Sequence, residues 1–413
     1  MSLRLLGWSR VAVFSHSAAA TSRLDIRQGR VLNPRMTTAP SPGPAAPRAG
    51  VEVPDPWAAI ETCYDNGWTD GLPVVPPTEA LVDAMLAAGP WRPGEILLNE
   101  PVRDRAVTAE KAAINAVMAG CRPEYFPVVG AALLAIGDPA FMLHGPATST
   151  GGSALMIIVN GPVRERVGLN AKVNLFGPGT RANATIGRTL RLVLLNCLDC
   201  RPGVLDKSTQ GWAGKYSLCF AEDEASSPWE PLHVSRGLAA SQSAVTVFAA
   251  ESGHNVLSHG TGDAEELLTG FADAMAGLGS FSPGRSVIVF APEHAAHLRR
   301  AGWTRHQTQH WLYDRAWRTL ADLKRGGKVE PAFFTNPELT RWLYQDAGPD
   351  RPATPEESAR VHERDETVRV RRGLGPDDIL LTVGGGDAGG HSAFFPSWSR
   401  GRSVAFVTKE VPV

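Results

Sequence analysis

Apolar and polar positions in the first half of the chain follow a helical period. Along residues 181–199 the apolar side chains recur every three to four positions, which predicts a helix with one buried face. Capping residues and glycines delimit further predicted helices at 57–67, 79–89, 109–120 and 123–137. The apolar run 153–162 lacks this period and is typical of a buried strand. The first half is therefore predicted to be rich in helices.

Two β-rich runs in the second half, 244–252 and 285–294, flank an amphipathic segment at 265–279. This order predicts a βαβ unit, whose crossover connection places its two strands parallel in one sheet. A helical stretch is predicted at 294–327, and further strands at 377–386 and 403–411. The predicted fold class is α/β, with a helix-rich first half and a second half that has βαβ units and a mainly parallel sheet.

The change of pattern near position 243 predicts two domains. We expect a helix-rich α/β domain over 51–243, which carries an anion-site loop, and an α/β domain over 244–413 with a glycine-rich C-terminal loop. Residues 1–50 combine many arginines and a Pro/Ala/Ser tract with a single acid, Asp25. This composition predicts a disordered leader that cannot pack a core, or an upstream extension if Met36 is the true start.

Composition narrows the class of protein. The 413 residues are 43% hydrophobic and 20% charged, with a formal net charge of −1. Nucleic acid is not an expected partner, because a polyanion requires clustered Lys and Arg. No apolar run approaches the roughly 20 residues that cross a bilayer, so no membrane partner is expected. Five cysteines make no disulfide framework and favour a cytoplasmic location, while the sequence leaves open whether the chain forms a homo-oligomer.

The loop before the long predicted helix of the first half has the features of an anion site. Gly177 and Gly179 allow the main chain to approach a ligand closely. Arg181, Asn183 and Arg188 follow at the start of the helix. Free N–H groups, a helix N-terminus and cationic side chains in one place hold a small anion. The alternative is a loop that only caps a buried helix, with both arginines solvated.

A second loop, predicted over 387–398, follows one of the last predicted strands, and five glycines lie between residues 384 and 390 where the strand runs into it. Open α/β sheets bind ligands where a strand ends in such a loop. Gly385 and Gly386 are therefore candidate substrate-binding positions, and His391 and Ser392 are expected to project into the crevice. The loop does not match GxGxxG followed by a helix, which disfavours a dinucleotide. The alternative is a flexible connector.

Candidate reactive side chains lie mainly in the first half of the chain. Cys121 falls between two predicted helices, where a helix N-terminus would favour its thiolate, although most free cysteines are buried apolar residues. Glu110 and Lys111 lie one helix earlier and could form an acid/base pair. The alternative is that the Glu110 carboxylate caps the helix and the Lys111 amine is solvated. His144, and likewise His254 and His259, lie in loops beside hydroxyl side chains, where a histidine acts as a general acid or base, binds a metal or is structural.

Two further patterns are weaker evidence of a functional site. Cys197 and Cys200 form a CxxC pair that follows a helix instead of starting one, so the pair lacks the helix dipole that favours a redox thiolate. We expect both to be core residues, and no metal site is predicted because no second ligand pair lies nearby. Gln210 and Lys215 belong to a polar run that lines a pocket or lies on the surface.

Several segments together resemble a known group of proteins. They read TDGLPVVPPT, AINAVMAGCRPEYFPVV, NLFGPGTRANATIGR, TQGWAGKYSLCFAEDE, SPWEPLHV and GGGDAGGHSAFFPSW. The set resembles poorly characterised bacterial proteins related to the UGSC-motif (seleno)protein family, over roughly residues 55–413. The resemblance implies an accessory enzyme of catabolic or specialised metabolism. The family is named for a selenocysteine or cysteine followed by Gly-Ser-Cys, a tetrad that this chain lacks.

These observations predict an enzyme that acts on a small anionic substrate. Hydrolysis or elimination is the expected reaction, because no cofactor fingerprint is visible in the sequence. Whether the protein binds a cofactor is left open. Cys121 or His144 would perform covalent or proton-transfer chemistry, and His391 with the glycine-rich loop would close over the substrate. Thiol-dependent redox chemistry at Cys121 is the alternative reaction. A non-catalytic ligand-binding or assembly partner of a second protein is the alternative class.

Overall fold

The computed structural model describes residues 29–35, 50–260, 262–277, 279–329, 333, 335–346, 360–401 and 404–412. Within them the helices are α1 (Pro56–Asp65), α2 (Glu79–Ala87), α3 (Ala109–Ala119), α4 (Phe126–Ile136), α5 (His144–Thr148), α6 (Val163–Arg166), α7 (Arg181–Asn196), α8 (Leu232–Ser235), α9 (Ala264–Met275), α10 (Pro292–Arg300), α11 (Arg305–Arg315), α12 (Leu320–Arg325) and α13 (Pro337–Leu343). The strands are β1 (Gly29–Leu32), β2 (Gly50–Val53), β3 (Ile96–Glu100), β4 (Arg105–Thr108), β5 (Ala154–Asn160), β6 (Leu218–Ala221), β7 (Ala244–Ala250), β8 (His254–Leu257), β9 (Ser286–Phe290), β10 (Trp317–Thr319), β11 (Arg369–Arg371), β12 (Ile379–Val383), β13 (His391–Pro396) and β14 (Val407–Glu410). The predicted α/β class is confirmed.

Local signals account for the ends of several helices. α3 begins after Thr108, whose hydroxyl accepts the backbone N–H of Lys111, and ends at Gly120 in the left-handed region with φ 91°. The helical stretch predicted at 294–327 is divided into α10, α11 and α12. Gly302, with φ 71°, separates α10 from α11, because only glycine adopts this backbone conformation without strain.

Among the described residues, eight strands form two four-stranded mixed sheets. The first sheet has the order β14-β7-β5-β6, in which β5 and β6 are parallel and the other pairs are antiparallel. The second has the order β12-β9-β13-β8, in which β12 and β9 are parallel. Antiparallel two-stranded ribbons are formed by β1 with β2, β3 with β4, and β10 with β11.

The two sheets pack face to face between two layers of helices. Alternate residues of the strands, such as Met156 of β5 and Val289 of β9, share the core between the sheets. The other face of the first sheet, which includes Ile157, packs against α3, α4 and α7. The other face of the second sheet, which includes Ile288, packs against α9 and α11. The period of two along each strand therefore produces an α/β/β/α arrangement of layers.

The predicted βαβ unit does not form. β7 pairs with β5 and β14, whereas β9 pairs with β12 and β13, so the two strands lie in different sheets. β12 is the parallel partner of β9, and both large sheets are mixed instead of mainly parallel. An apolar run suits either sheet equally, and only packing across the whole chain selects one. The first sheet also takes two strands from each side of the predicted boundary at position 243.

Part of the predicted leader is folded, so the expectation of disorder is wrong for residues 29–35. β1 pairs with β2 in antiparallel register, and Val31 and Leu32 are buried in the same core as α3 and α7. The strand was not predicted because its apolar run, Val31 and Leu32, is short and lies among arginines. The rest of the predicted leader, residues 1–28 and 36–49 with Met36, lies outside the described residues.

Candidate functional site

A cavity of about 450 Å³ opens between the two sheets, beyond the carboxyl end of β12. We call it the inter-sheet cavity. Gly384 and Gly385 border it on one side, and Phe176, from the loop before α7, borders it on another. β13, from its first residue onward, and the start of β8 complete its wall. Both loops that the sequence singles out therefore meet at one cavity of the size that holds a small molecule.

Backbone contacts hold the glycine-rich loop and the end of β12 against neighbouring segments. The N–H of Gly385 donates to the carbonyl of Ala171 at 2.9 Å, and the N–H of Asp223 donates to the carbonyl of Val383 at 2.8 Å. A Cβ atom on Gly384 would lie 2.8 Å from Cδ2 of Leu175, so glycine permits this close approach. The glycine-rich segment is thus a packed part of the cavity wall, which argues against the flexible-connector alternative.

Three aromatic side chains form one side of the cavity, and we call them the aromatic wall: Phe176, Trp212 and Phe395. The rings of Phe176 and Phe395 meet edge to face with centroids 5.3 Å apart, and those of Trp212 and Phe395 are 6.4 Å apart. Rings that hold one another in this way keep a fixed apolar surface. The wall suits the apolar part of a ligand.

Two histidines also border the cavity, although the ring of His254 stacks on Phe394, which packs in the core on the other face of the second sheet. His391 and His254 border the cavity and are exposed. Nδ1 of His391 lies 3.2 Å from Oδ1 of Asn255, and the ring of His259 stands edge to face with that of His391 at 5.1 Å between centroids. His391 thus lies where the sequence predicts it. The predicted loop after the glycines is strand β13, because the alternating pattern HSAFFP pairs with β8 and β9.

Ser392 borders the same cavity, but its hydroxyl does not face a ligand. Its Oγ accepts the N–H of Ala291 at 2.8 Å and lies 2.6 Å from Nδ1 of His294, a buried residue of α10. Nε2 of His294 faces the carbonyl of Ser258 and must donate to it, so Nδ1 accepts the serine proton. Burial lowers the pKa of His294, in keeping with a neutral ring. The predicted role of Ser392 in binding is replaced by a structural one.

Two of the three side chains predicted to hold an anion are occupied by the protein itself. Arg188 donates from Nε and from NH2 to the carboxylate of Asp70, at 2.9 and 2.7 Å. The amide of Asn183 is buried and exchanges hydrogen bonds with the backbone of Asn170. Arg181 is exposed and donates from Nε to the carbonyl of Gly120. The anion site drawn from these residues is therefore not assembled.

The glycines of the same loop serve the fold of the loop. Gly179 has φ 126°, and a Cβ atom on Gly177 would collide with Oδ1 of Asn174. Nδ2 of Asn174 donates to the carbonyl of Pro178 at 2.7 Å. Gly386, of the glycine-rich loop after β12, lies next to Val173 of the loop before α7. These glycines position Phe176 at the inter-sheet cavity instead of cradling an anion at the start of α7.

All five cysteines are buried and unpaired. Burial raises the pKa of Cys63 and Cys200 to about 11 and that of Cys197 to about 12. Burial likewise raises the pKa values of Cys121 and Cys219. The thiolate character expected for Cys121 is opposed by this desolvation, and its Sγ lies 3.2 Å from the hydroxyl of Thr189. The core role expected for the CxxC pair is confirmed.

The remaining candidates lie outside the set of residues that border the inter-sheet cavity. Nδ1 of His144 is 3.4 Å from Oε1 of Glu100. Nζ of Lys111 donates to the carbonyl of Ala106 at 3.1 Å, and Glu110 lies in the first turn of α3. The structure places His144 at the start of helix α5 instead of in the predicted loop, so its contact joins α5 to β3, and that of Lys111 joins α3 to β4. Both contacts suit structural roles.

A second cavity, of about 470 Å³, which we call the α7 cavity, is lined in part by Gln210 and Lys215 of the predicted polar run, and sequence reasoning missed its other residues. Arg191, Asp206, Lys215 and Tyr216 border it, and Trp212 borders both cavities. The signals were present: Arg191 is three residues after Arg188 on the same helix, and Lys215 belongs to the polar run with Gln210. The indole N–H of Trp212 is buried and has no acceptor among the described residues.

A comparison with protein-family models, curated proteins and solved structures finds no match to the chain. The resemblance to the UGSC-motif proteins therefore stays a prediction. The part of the chain that the structure describes contains no group of three or more His, Cys, Asp or Glu side chains placed to hold a metal ion. None of its helices combines the length and the apolar character needed to cross a bilayer.

Proposed function

We propose that the protein is an enzyme that acts on a small substrate in the inter-sheet cavity by acid–base chemistry, as a hydrolase or a lyase. The observation that carries the proposal is the imidazole of His391, which is exposed at a cavity with an aromatic wall and is oriented by Asn255. A concave apolar site with a few convergent polar groups is the usual form of a small-molecule site.

The contact with Asn255 supports one tautomer of the His391 ring. An amide oxygen only accepts hydrogen bonds, so it holds the proton on Nδ1 and leaves Nε2 to accept a proton. A base in this form activates water for hydrolysis or removes a proton for elimination, and the protonated ring then returns the proton to the leaving group. His391 is thus the proposed general acid and base, in place of Cys121 and His144.

We further propose a substrate with an apolar body and an anionic group. The aromatic wall would pack against the apolar body. Since Arg188 is engaged by Asp70, the anionic group would lie beside the imidazole of His391, which borders the cavity. A role in catabolic or specialised metabolism follows from the resemblance to the UGSC-motif proteins. The unpaired cysteines support a reducing, cytoplasmic location.

A substrate screen with matched variants tests this proposal. The full-length protein is incubated with a panel of small esters, amides and β-hydroxy or β-amino acids, and products are followed by mass spectrometry. We expect turnover of at least one compound, and we expect His391→Ala to lower kcat/KM by about 10²- to 10⁴-fold, the usual contribution of a general acid or base. Asn255→Ala should lower it less, because it only orients the ring.

His310→Ala is the matched control, because His310 is an exposed histidine of α11 on another surface. It should leave kcat/KM unchanged. Equal rates in the parent and in His391→Ala would overturn the assigned role of His391. Saturable binding to the cavity without any turnover would favour the alternative of a non-catalytic binding protein. Thiol-dependent redox chemistry finds no support, because burial raises the pKa of Cys121.

A further inference from the structure

The α7 cavity lies between helix α7 and the segment 202–216, with Trp212 separating it from the inter-sheet cavity. Its volume of about 470 Å³ is large enough for a small organic molecule. Its walls combine two kinds of surface. Leu195, Pro202 and Tyr216 supply apolar area, and a cluster of charged side chains occupies one end.

The charges of this cluster do not balance. Nζ of Lys215 donates to both oxygens of Asp206, at 2.8 and 2.7 Å, and NH2 of Arg191 lies 3.1 Å from the same carboxylate. Asp70, which also borders the cavity, is paired with Arg188. Two cations therefore share one carboxylate, which leaves a surplus of one positive charge at the cavity wall.

The donors of the two cations differ in what they leave for a ligand. Lys215 is fully used, because its third proton goes to the hydroxyl of Ser208 at 2.6 Å. Arg191 uses NH2 for Asp206 and for the carbonyl of Cys200, whereas its Nε and NH1 make no hydrogen bond to the described part of the chain. The Arg191 side chain is 13% exposed and borders the cavity, and these two donors are not sealed from it, so a ligand in the cavity can reach them.

We propose that the α7 cavity is a binding site for a small organic carboxylate. The free donors of Arg191 would hold the carboxylate, since guanidinium and carboxylate form charge-assisted hydrogen bonds. Tyr216 and Trp212 would flank the apolar body of the ligand. A surplus of one charge favours a monoanion over a phosphate dianion. This site is distinct from the proposed reaction at His391 and does not depend on it.

Calorimetric titration of the full-length protein tests the site with named probes: acetate, benzoate, phenylacetate, inorganic phosphate and the neutral isostere benzamide. We expect benzoate or phenylacetate to bind more tightly than acetate, phosphate and benzamide. Arg191→Gln should weaken that binding by about 10- to 100-fold, the loss typical of a charged hydrogen bond. His391→Ala should leave the binding unchanged, which separates this site from the proposed active site.

Arg181→Gln is the matched control, because Arg181 is a cation of the same helix outside the cavity. It should bind the probes like the parent. Should Arg191→Gln fail to fold, Tyr216→Ala serves as the second variant, since Tyr216 is 50% exposed and borders the cavity. It should weaken benzoate or phenylacetate binding several-fold. No binding of either aromatic acid, tighter binding of phosphate or benzamide, or equal binding by the parent and both cavity variants would overturn the proposal.

Discussion

Arg188 and Arg191 lie three residues apart on α7 but have different surroundings. Arg188 meets Asp70 through two hydrogen bonds and also donates to the carbonyls of Leu72 and Pro73. Its charge is therefore balanced within the protein, and it ties the loop after α1 to α7. Arg191 shares its carboxylate with Lys215 and keeps donors for a ligand. Whether an arginine has a structural role or is available to a ligand therefore depends on the partners of its side chain and not on its residue type.

Removing the partner of Arg188 should destabilise the protein. The side chains of Asp70 and Arg188 are 3% and 14% exposed, so Asp70→Ala would leave a largely buried charge without a counter-ion. We expect the free energy of unfolding to fall by about 3 kcal/mol, as in other buried pairs from which one member is removed. Guanidinium chloride denaturation at neutral pH measures this change.

Glu124→Ala provides the comparison for Asp70→Ala. The ion pair of Glu124 with Arg122 is 3.8 Å long, and its side chains are 47% and 57% exposed. Its removal should change the free energy of unfolding by less than about 1 kcal/mol. If both variants lost the same small amount, the Asp70 pair would not have the structural role that its geometry indicates.

At the scale of elements, the ribbon of β1 and β2 connects the start of the described chain to the helical layer. Leu32 is fully buried, and its N–H donates to the carbonyl of Pro77 at 3.0 Å, between β1 and the start of α2. The opposite strand is more exposed, with Val51 at 42%. Within the ribbon β1 is therefore the buried strand, and most of β2 faces solvent.

We expect Leu32→Ala to lower the free energy of unfolding by about 2–5 kcal/mol, the cost of a cavity at a fully buried leucine. Thermal and chemical denaturation of the purified variant measure it. Val51→Ala, an exposed position of the same ribbon, should stay within about 0.5 kcal/mol of the parent. An unchanged stability of Leu32→Ala would mean that β1 does not pack as the structure has it.

Elements with a strong local signal could be predicted from the sequence. α3 and α7 were predicted because capping residues and apolar periodicity act within a few positions. β13 was missed although its residues alternate, since the preceding glycines favoured a loop. For the candidate site, His391 and the glycine-rich loop were predicted, whereas Asn255 and the aromatic wall were not. Those residues come from distant segments that no local pattern connects.

At the scale of the whole molecule, the first sheet joins both halves of the chain. β5 and β6 come from the first half, and β7 and β14 come from the second. The register of β5 with β7 runs along the full seven residues of each strand. The core between the sheets also draws on both halves, since Met156 packs with Val289 there. The fold therefore requires contacts between strands that come from the two halves of the chain.

Fragments 51–243 and 244–413, expressed separately, should each fail to form a native fold. The first fragment would expose the edge of β5, and the second would leave β7 and β14 without the rest of their sheet. We expect poorly dispersed NMR spectra and no cooperative thermal transition from either fragment. A dispersed spectrum and a cooperative transition from one fragment alone would show that the predicted domain boundary is a real folding boundary.

The sequence by itself determined the α/β class, most of the helices and strands, the burial of the CxxC pair and the position of the glycine-rich loop. Each of these follows from patterns of caps, breakers and apolar residues over a few neighbouring positions. Tertiary structure alone decided which strands share a sheet and which charges are paired. Asp70 and Arg188 are 118 residues apart, and Ser392 and His294 are 98 apart. A local pattern says which side chains are buried, but their partners are selected by packing of the whole chain.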